Sequence, residues 1–222
     1  MVIKHTVFVT GAAGYVGTML VRRFAAREDV ERVIGLDKEA MPELLKDEPK
    51  LVYLEMNLAD EGWEEKVASY APDVVIHTAW QIREIYGNRP LSWLWNIEGS
   101  TRVFRFAYET PSVNRLVHFS TVASYGAFPE NTIEHRFTEV EPFRKTDYLY
   151  AEEKRIAEER LEEEFAKASR KVPTAIVRPA AITGPRGRYM RIRFGLQAAL
   201  SGQLKDSFVF RLISLMTRFV PV

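Results

Sequence analysis

Two hydrophobic periods alternate along this chain. Short runs of β-branched and aromatic residues at Thr6–Thr10, Arg32–Leu36, Leu51–Met56, Asp73–His77, Leu116–Ser120 and Thr174–Arg178 read as strands. Between them apolar residues recur at helical spacing, which predicts helices near Tyr15–Ala26, Gly62–Tyr70, Leu91–Glu109 and Asp147–Lys167. Met19, Leu20 and Phe24 are spaced to form the apolar face of the first helix. Ile156, Ala157, Leu161 and Phe165 are spaced to form that of the last, which is densely charged over Glu152–Glu164. Strands that alternate with helices need crossover connections, and crossovers join parallel strands. The expected fold class is therefore α/β, a doubly wound parallel sheet. The alternation breaks at Gly184-Pro185-Arg186-Gly187, after which the chain is helical and basic. Residues 1–184 are expected to form one domain, and 185–222 to begin a smaller region that stops early.

The first strand–helix junction carries the most specific chemistry. Thr10-Gly11-Ala12-Ala13-Gly14-Tyr15-Val16-Gly17 follows the run Val7-Phe8-Val9 and leads directly into the first helix. Residues without a Cβ let the backbone approach a pyrophosphate, and the helix N-terminus offers unpaired N–H groups and a positive dipole end to the anion. The segment is expected to cradle the phosphates of a dinucleotide, as in a Rossmann fold. Asp37 ends the second strand, twenty residues after Gly17. A carboxylate there can accept hydrogen bonds from both ribose hydroxyls of an adenosine and repels a 2′-phosphate, which favours NAD over NADP. Lys38, next in sequence, softens that preference, and a turn residue ahead of a helix is the alternative reading of Asp37.

Tyr150-Ala151-Glu152-Glu153-Lys154 places a phenol and an ammonium four residues apart, on one face of the last helix. A phenol with a pKa of about 10 is a poor base at neutral pH. A neighbouring lysine and a positive nicotinamide ring would both favour phenolate and lower that pKa. Alone, the pair equally describes a solvated helix face. Thr121 follows the strand Leu116–Ser120. The carboxyl ends of parallel strands open onto the ligand crevice. A hydroxyl there can hold a substrate oxygen while Tyr150 moves its proton; Ser120 and Ser124 compete for that role, and a Ser/Thr-rich turn is the plain alternative.

At 222 residues, 46% hydrophobic and 12% aromatic, the chain can bury a sizeable core, which excludes a disordered protein. With no cysteine, disulfides and thiolate metal sites are excluded, and the scattered histidines show no metal-ligand spacing, so no metal is expected. No uncharged apolar run nears the roughly 18 residues of a membrane span, and the N-terminus enters a strand without a signal-peptide pattern. A cytoplasmic protein without a membrane partner is expected. A net charge of +1 argues against nucleic acid as a partner. Charge is uneven, however: Ala175 to Val222 holds eight basic residues and one acidic residue. That segment reads as a solvated or oligomer-contact face, or else Arg186, Arg188, Arg191 and Arg193 meet an anionic substrate such as a nucleotide diphosphate.

These elements, in this order, resemble the extended short-chain dehydrogenase/reductase family, its NAD-dependent epimerases and dehydratases. The family's glycine motif matches Gly11, Gly14 and Gly17, and its acidic strand end matches Asp37. Its His-x-Ala-Ala motif stands here as His77-Thr78-Ala79-Trp80, and its Asn-Val-x-Gly-Thr helix motif as Asn96-Ile97-Glu98-Gly99-Ser100. Counting back four from Tyr125-Gly126 puts Thr121 on the family's catalytic Ser/Thr. Tyr150 and Lys154 match its Tyr-x-x-x-Lys, and Arg178-Pro179 with Gly184-Pro185 matches the segment beside the nicotinamide. There are departures. Trp80 replaces a small residue near the cofactor, and Asn57, followed by Leu58, stands where an Asp usually contacts adenine. Family members also continue for roughly a hundred further residues, a domain's worth that builds the substrate lobe.

The resemblance implies a catalytic trio of Thr121, Tyr150 and Lys154. It implies a cofactor site built from Gly11, Ala13, Gly14, Tyr15, Val16, Gly17, Asp37, Asn57 and Leu58, then His77, Ala79, Trp80, Asn96 and Ser120, closed by Tyr150, Lys154, Arg178 and Pro179. NAD is the implied cofactor, NADP the less favoured one, and a nucleotide sugar the implied small-molecule substrate. The implied reaction is reversible hydride transfer between nicotinamide and a substrate alcohol or ketone. Two alternatives stand beside it: an NAD-binding module without catalysis, and a hydroxysteroid-like alcohol dehydrogenase. Pairing of the Leu91–Glu109 and Asp147–Lys167 helices between two copies would make a homodimer.

Overall fold

The computed structural model describes residues 4–82, 88–126, 128, 130–132 and 134–182. Among them six strands form one parallel sheet: β1 (His5–Thr10), β2 (Val30–Asp37), β3 (Leu51–Glu55), β4 (Val74–His77), β5 (Arg115–Phe119) and β6 (Thr174–Val177). Their order is β3-β2-β1-β4-β5-β6, so the direction of growth reverses between β1 and β4. That reversal opens a crevice at the carboxyl ends of those two strands, the place where doubly wound sheets hold ligands. The helices are α1 (Tyr15–Ala25), α2 (Trp63–Ala68), α3 (Arg89–Trp93), α4 (Gly99–Glu109) and α5 (Leu149–Lys167). A π-helical stretch, Leu94–Glu98, joins α3 to α4, and short 3-10 turns lie at Glu43–Leu45 and Val122–Tyr125. The chain divides into two compact units, Met1–Ala180 and Ala181–Val222, and every side chain discussed below belongs to the first. Arg186, Arg188, Arg191, Arg193, the Gly184-Pro185 pair and the region 185–222 lie outside the described residues.

The sheet is buried on both faces, which is why its strands read as unbroken apolar runs. Val7 and Val9 of β1 pack with Val21, Val33, Leu45 and Ile76 in one layer. Phe8, between them, points into the other, with Trp63, Val75, Phe104, Phe106 and Leu116. There the Phe8, Trp63 and Phe106 rings meet at centroid separations of 5.3–5.9 Å.

Each expected strand, and the helices expected near Tyr15–Ala26, Gly62–Tyr70 and Asp147–Lys167, lies within two residues of its observed bounds, whereas the single helix expected over Leu91–Glu109 is divided into α3, the π-helical stretch and α4. The helix faces need correction. In α1 the buried side is Gly17, Thr18, Val21 and Ala25, while Met19 is 46% exposed and Leu20 and Phe24 are only half-buried. The small residues let α1 settle closely over the glycine turn, and the large ones lie at its margin. In α5 the inward positions are Ala151, Glu153, Lys154, Ala157, Glu158, Leu161 and Glu164, whereas Phe165 is exposed and Ile156 half-buried. Its acids go inward because each has a partner there. Glu158 accepts from Arg178 at 2.7 Å, Glu164 from Arg105 at 2.9 Å, and Glu153 from Asn96 at 2.7 Å. Among the described residues no helix is long and apolar enough to cross a membrane, and no cluster of metal-ligating side chains occurs.

Candidate active site

The glycine turn begins where β1 ends. Gly11 has φ +72°, and a Cβ on it would stand 2.6 Å from the Ala79 backbone nitrogen. At Gly17 a Cβ would lie 1.9 Å from the Gly11 carbonyl oxygen, a backbone atom that cannot step aside. Gly17→Ala is therefore expected to cost about 2–3 kcal/mol, seen as a fall in Tm of roughly 5–10 °C. A melting curve that overlays the wild type would refute this tight packing of turn and helix.

Asp37 braces the same turn from β2. Its carboxylate accepts from the Ala13 N–H at 2.9 Å and from the Glu39 N–H at 3.1 Å. Lys38 is drawn away, to Glu39 at 2.7 Å and over the Trp95 ring at 4.5 Å. A cavity of about 220 Å³ runs past these groups. Gly11, Gly14, Tyr15, Val16 and Gly17 line one stretch of it; Asp37, Asn57 and Leu58 another; Ala79, Trp80 and Asn96 a third. Asn57 spends its carbonyl on the Ala59 N–H at 3.0 Å.

The residues expected to carry the reaction lie beyond this cavity, Thr121 after β5 and Tyr150 and Lys154 in the first turns of α5. The Thr121 hydroxyl lies close enough to the Tyr150 phenol to act on it. Burial, the larger influence, pushes the Tyr150 phenol up, and Thr121 pulls it down. The expected lowering by Lys154 is not what this structure holds. Lys154 is 3% exposed, and its ammonium donates to the Phe119 carbonyl at 2.5 Å and sits 3.7 Å from the centre of the Trp80 ring. Burial brings its own pKa down to about 7, against an upward pull from Glu158.

A sequence model of the NAD dependent epimerase/dehydratase family matches residues 7–207, most of the chain. The chain belongs to this family.

Relatives agree with the assignment. Over 129 residues the chain is 31% identical to a UDP-glucose 4-epimerase of Mycolicibacterium smegmatis, covering 54% of this chain and 40% of that protein. Over 185 residues it is 27% identical to an N-acetyl-alpha-D-glucosaminyl-diphospho-ditrans,octacis-undecaprenol 4-epimerase of Escherichia coli O157:H7, covering 83% and 51%. The chain thus spans about half the length of the curated relatives it matches. Among solved structures, the Bordetella bronchiseptica enzyme WbmH in complex with NAD+ superposes with a TM-score of 0.71 at 27% identity, over 86% of this chain and 64% of that one.

Within this member of the family, several expected cofactor residues stand off the cavity wall. Ala13 faces Asp37 through its N–H. His77 is a core residue, bonded to Thr10 Oγ1 at 2.7 Å and Ser100 Oγ at 2.8 Å. Burial holds its imidazole neutral, with a pKa down to about 3. It stacks on His118, equally buried, whose ring nitrogens have no partner among the described residues; Ser120 Oγ has none either. Arg178 turns its fork to Glu158 and Tyr125, at 2.7 and 2.8 Å, tying β6 to α5 and to the turn after β5. Pro179 contributes its carbonyl to the Val122 N–H at 3.2 Å.

Asn96 bonds to Gln81, Ser92 and Glu153. Its amide nitrogen donates to the Gln81 carbonyl at 3.1 Å and to Glu153 at 2.7 Å, and its oxygen accepts from the Gln81 N–H at 2.7 Å. The π-helical turn, a feature often found at functional sites, brings it there together with Ser92, which also bonds Glu153. Sequence reasoning overlooked Glu153 because a Glu in a charged helix gives no sign of pointing inward. It also overlooked Met56, Gln81, Ile82 and Trp95 on the cavity wall, which lie between the motifs.

Proposed function

We propose that this chain binds NAD in the cleft above β1 and β4 and supplies the proton-transfer groups of a nucleotide-sugar epimerase or dehydratase. The observation that carries the reading is the convergence of Thr121, Tyr150 and Lys154 beside a glycine turn too tight for any Cβ. That turn fits a pyrophosphate: the backbone of Gly11 and Gly14 and the N-terminus of α1 hold it, and the free face of Asp37 takes the adenosine ribose. NAD, when bound, supplies a hydride acceptor at its nicotinamide ring. Thr121 holds the substrate oxygen, and Tyr150 takes the hydroxyl proton as the carbinol C–H bond breaks. Lys154 completes the site by holding a ribose oxygen. A nucleotide sugar is the favoured substrate class because the named relatives are sugar-nucleotide and sugar-diphospholipid epimerases.

Titration with NAD and NADP, followed by the fluorescence of the four tryptophans, tests the reading. Micromolar binding of NAD and much weaker binding of NADP are expected. Asp37→Asn keeps an acceptor for the Ala13 N–H but loses the charge, so the NAD preference is expected to narrow about tenfold. Equal affinity for both dinucleotides in the wild type would overturn the role given to Asp37. Failure to bind either would overturn the cofactor site.

A further inference from the structure

The side chain of Trp80 closes the reaction end of the cleft. Its ring covers the Lys154 ammonium, and its edge faces Tyr150 at 6.5 Å between centroids. With the Phe119 carbonyl on another side, Lys154 is 3% exposed among the described residues, so a ribose or substrate oxygen reaches it only when the ring moves. The same pose has a cost: the Trp80 indole N–H is buried without an acceptor among the described residues. The backbone on either side is pinned. The Ala79 N–H donates to Thr10 Oγ1 at 3.3 Å, and Gln81 is held at both its N–H and its carbonyl by Asn96. Asn96 is in turn fixed by Glu153, the neighbour of Lys154 on α5. Movement is therefore confined to rotation of the indole about its own side-chain bonds.

We propose that Trp80 is a cover over Lys154 which the nicotinamide half of the dinucleotide displaces on binding, so that the free protein keeps its reaction end closed. The inference rests on the dinucleotide reading of the cleft. Asp37, Asn57 and Leu58 already line the cavity in this closed form, so the adenosine half can dock first. A cation–π contact set against a stranded N–H leaves the covered and uncovered poses close in free energy. A ligand that needs the uncovered pose then binds more weakly, in proportion to how rarely that pose is populated. Displacement also restores solvent to an ammonium that burial holds near neutrality, readying it to bond an oxygen.

Calorimetric titration of wild type, Trp80→Ala and Trp80→Phe with NAD and with ADP tests this. ADP carries the adenosine and diphosphate but stops short of Lys154. Trp80→Ala is expected to bind NAD about tenfold tighter with unchanged ADP affinity, since the uncovering step is removed. Trp80→Phe keeps a ring over the lysine and is expected to bind both like the wild type. Acylation of Lys154, followed by mass spectrometry without ligand, is expected to run about tenfold faster in Trp80→Ala. Unchanged or weaker NAD binding in Trp80→Ala, with ADP affinity intact, would overturn the cover. If ADP binds none of the three folded proteins, the dinucleotide reading itself fails and the cover falls with it.

Discussion

Replacing Tyr150 by Phe is expected to lower turnover of a nucleotide-sugar alcohol by roughly 10²–10⁴-fold, the usual worth of a positioned proton carrier. NAD affinity is expected to stay within about twofold, since the ring and its packing survive and one hydroxyl contact is lost. The structure gives the reason for this split. The phenol lies beside Thr121, and burial raises its pKa above the ordinary tyrosine value. Phe keeps the edge contact with Trp80 and removes only the group that can accept the substrate proton. Stopped assays of reduced nicotinamide, paired with titration of the variant, read both quantities. A variant that turns over within tenfold of wild type would remove Tyr150 from the proton path.

Lys154→Met is expected to stabilise the folded chain at pH 7 and to flatten its pH dependence. In the fold, burial lowers the Lys154 pKa from 10.5 to about 7. Between those values the unfolded chain binds a proton that the folded chain does not, so stability rises with pH across that window. Below about pH 7 both forms carry the charge and the folded one bears its full burial cost, on the order of a few kcal/mol, most of which is still present at pH 7. Methionine keeps the stem's bulk without the charge, although it gives up the bond to Phe119 and the contact with Trp80. Urea midpoints at pH 7 and 9.5 provide the measurement. Wild type is expected to gain stability across this interval, and the variant to start higher and stay level. Parallel slopes would show that Lys154 is not the group responsible. The interval stops short of the tyrosines, since burial raises Tyr53, Tyr108 and Tyr150 and their buried phenols favour unfolding only at higher pH. On the acid side, neutral His77 and His118 take over: both pKa values are depressed, so stability falls as pH drops below the ordinary histidine range of about 6.5.

Much of the architecture could be read from local pattern, because a sheet buried on both faces writes each strand as an apolar run such as Val7-Phe8-Val9. The glycine turn was legible for a related reason: Gly11 and Gly17 occupy places where sterics admit nothing else. What escaped the sequence depends on partners far away in the chain. Glu158 and Glu164 look like solvated positions until Arg178 and Arg105 are seen opposite them. Arg178 matches a cofactor motif in sequence, yet its guanidinium is fully engaged by Glu158 and Tyr125. Trp80 was visible as an odd residue in a family motif, but its seat on Lys154 follows from the meeting of β4 and α5, which no local window contains.

The π-helical turn at Leu94–Glu98 makes the site vulnerable in a way that substitutions do not reveal. It spends one more residue than a regular helix would, and each residue turns a helix by about 100°. Deleting Leu94 or Trp95 would let the turn close to a regular helix and leave Ser92 three residues before Asn96 instead of four, out of the spacing at which both now reach Glu153. Every motif by which this family is recognised would still be spelled correctly. The brace between Glu153, Ser92 and Asn96 would nonetheless be broken, so a descendant chain could lose its chemistry while its sequence continued to advertise it.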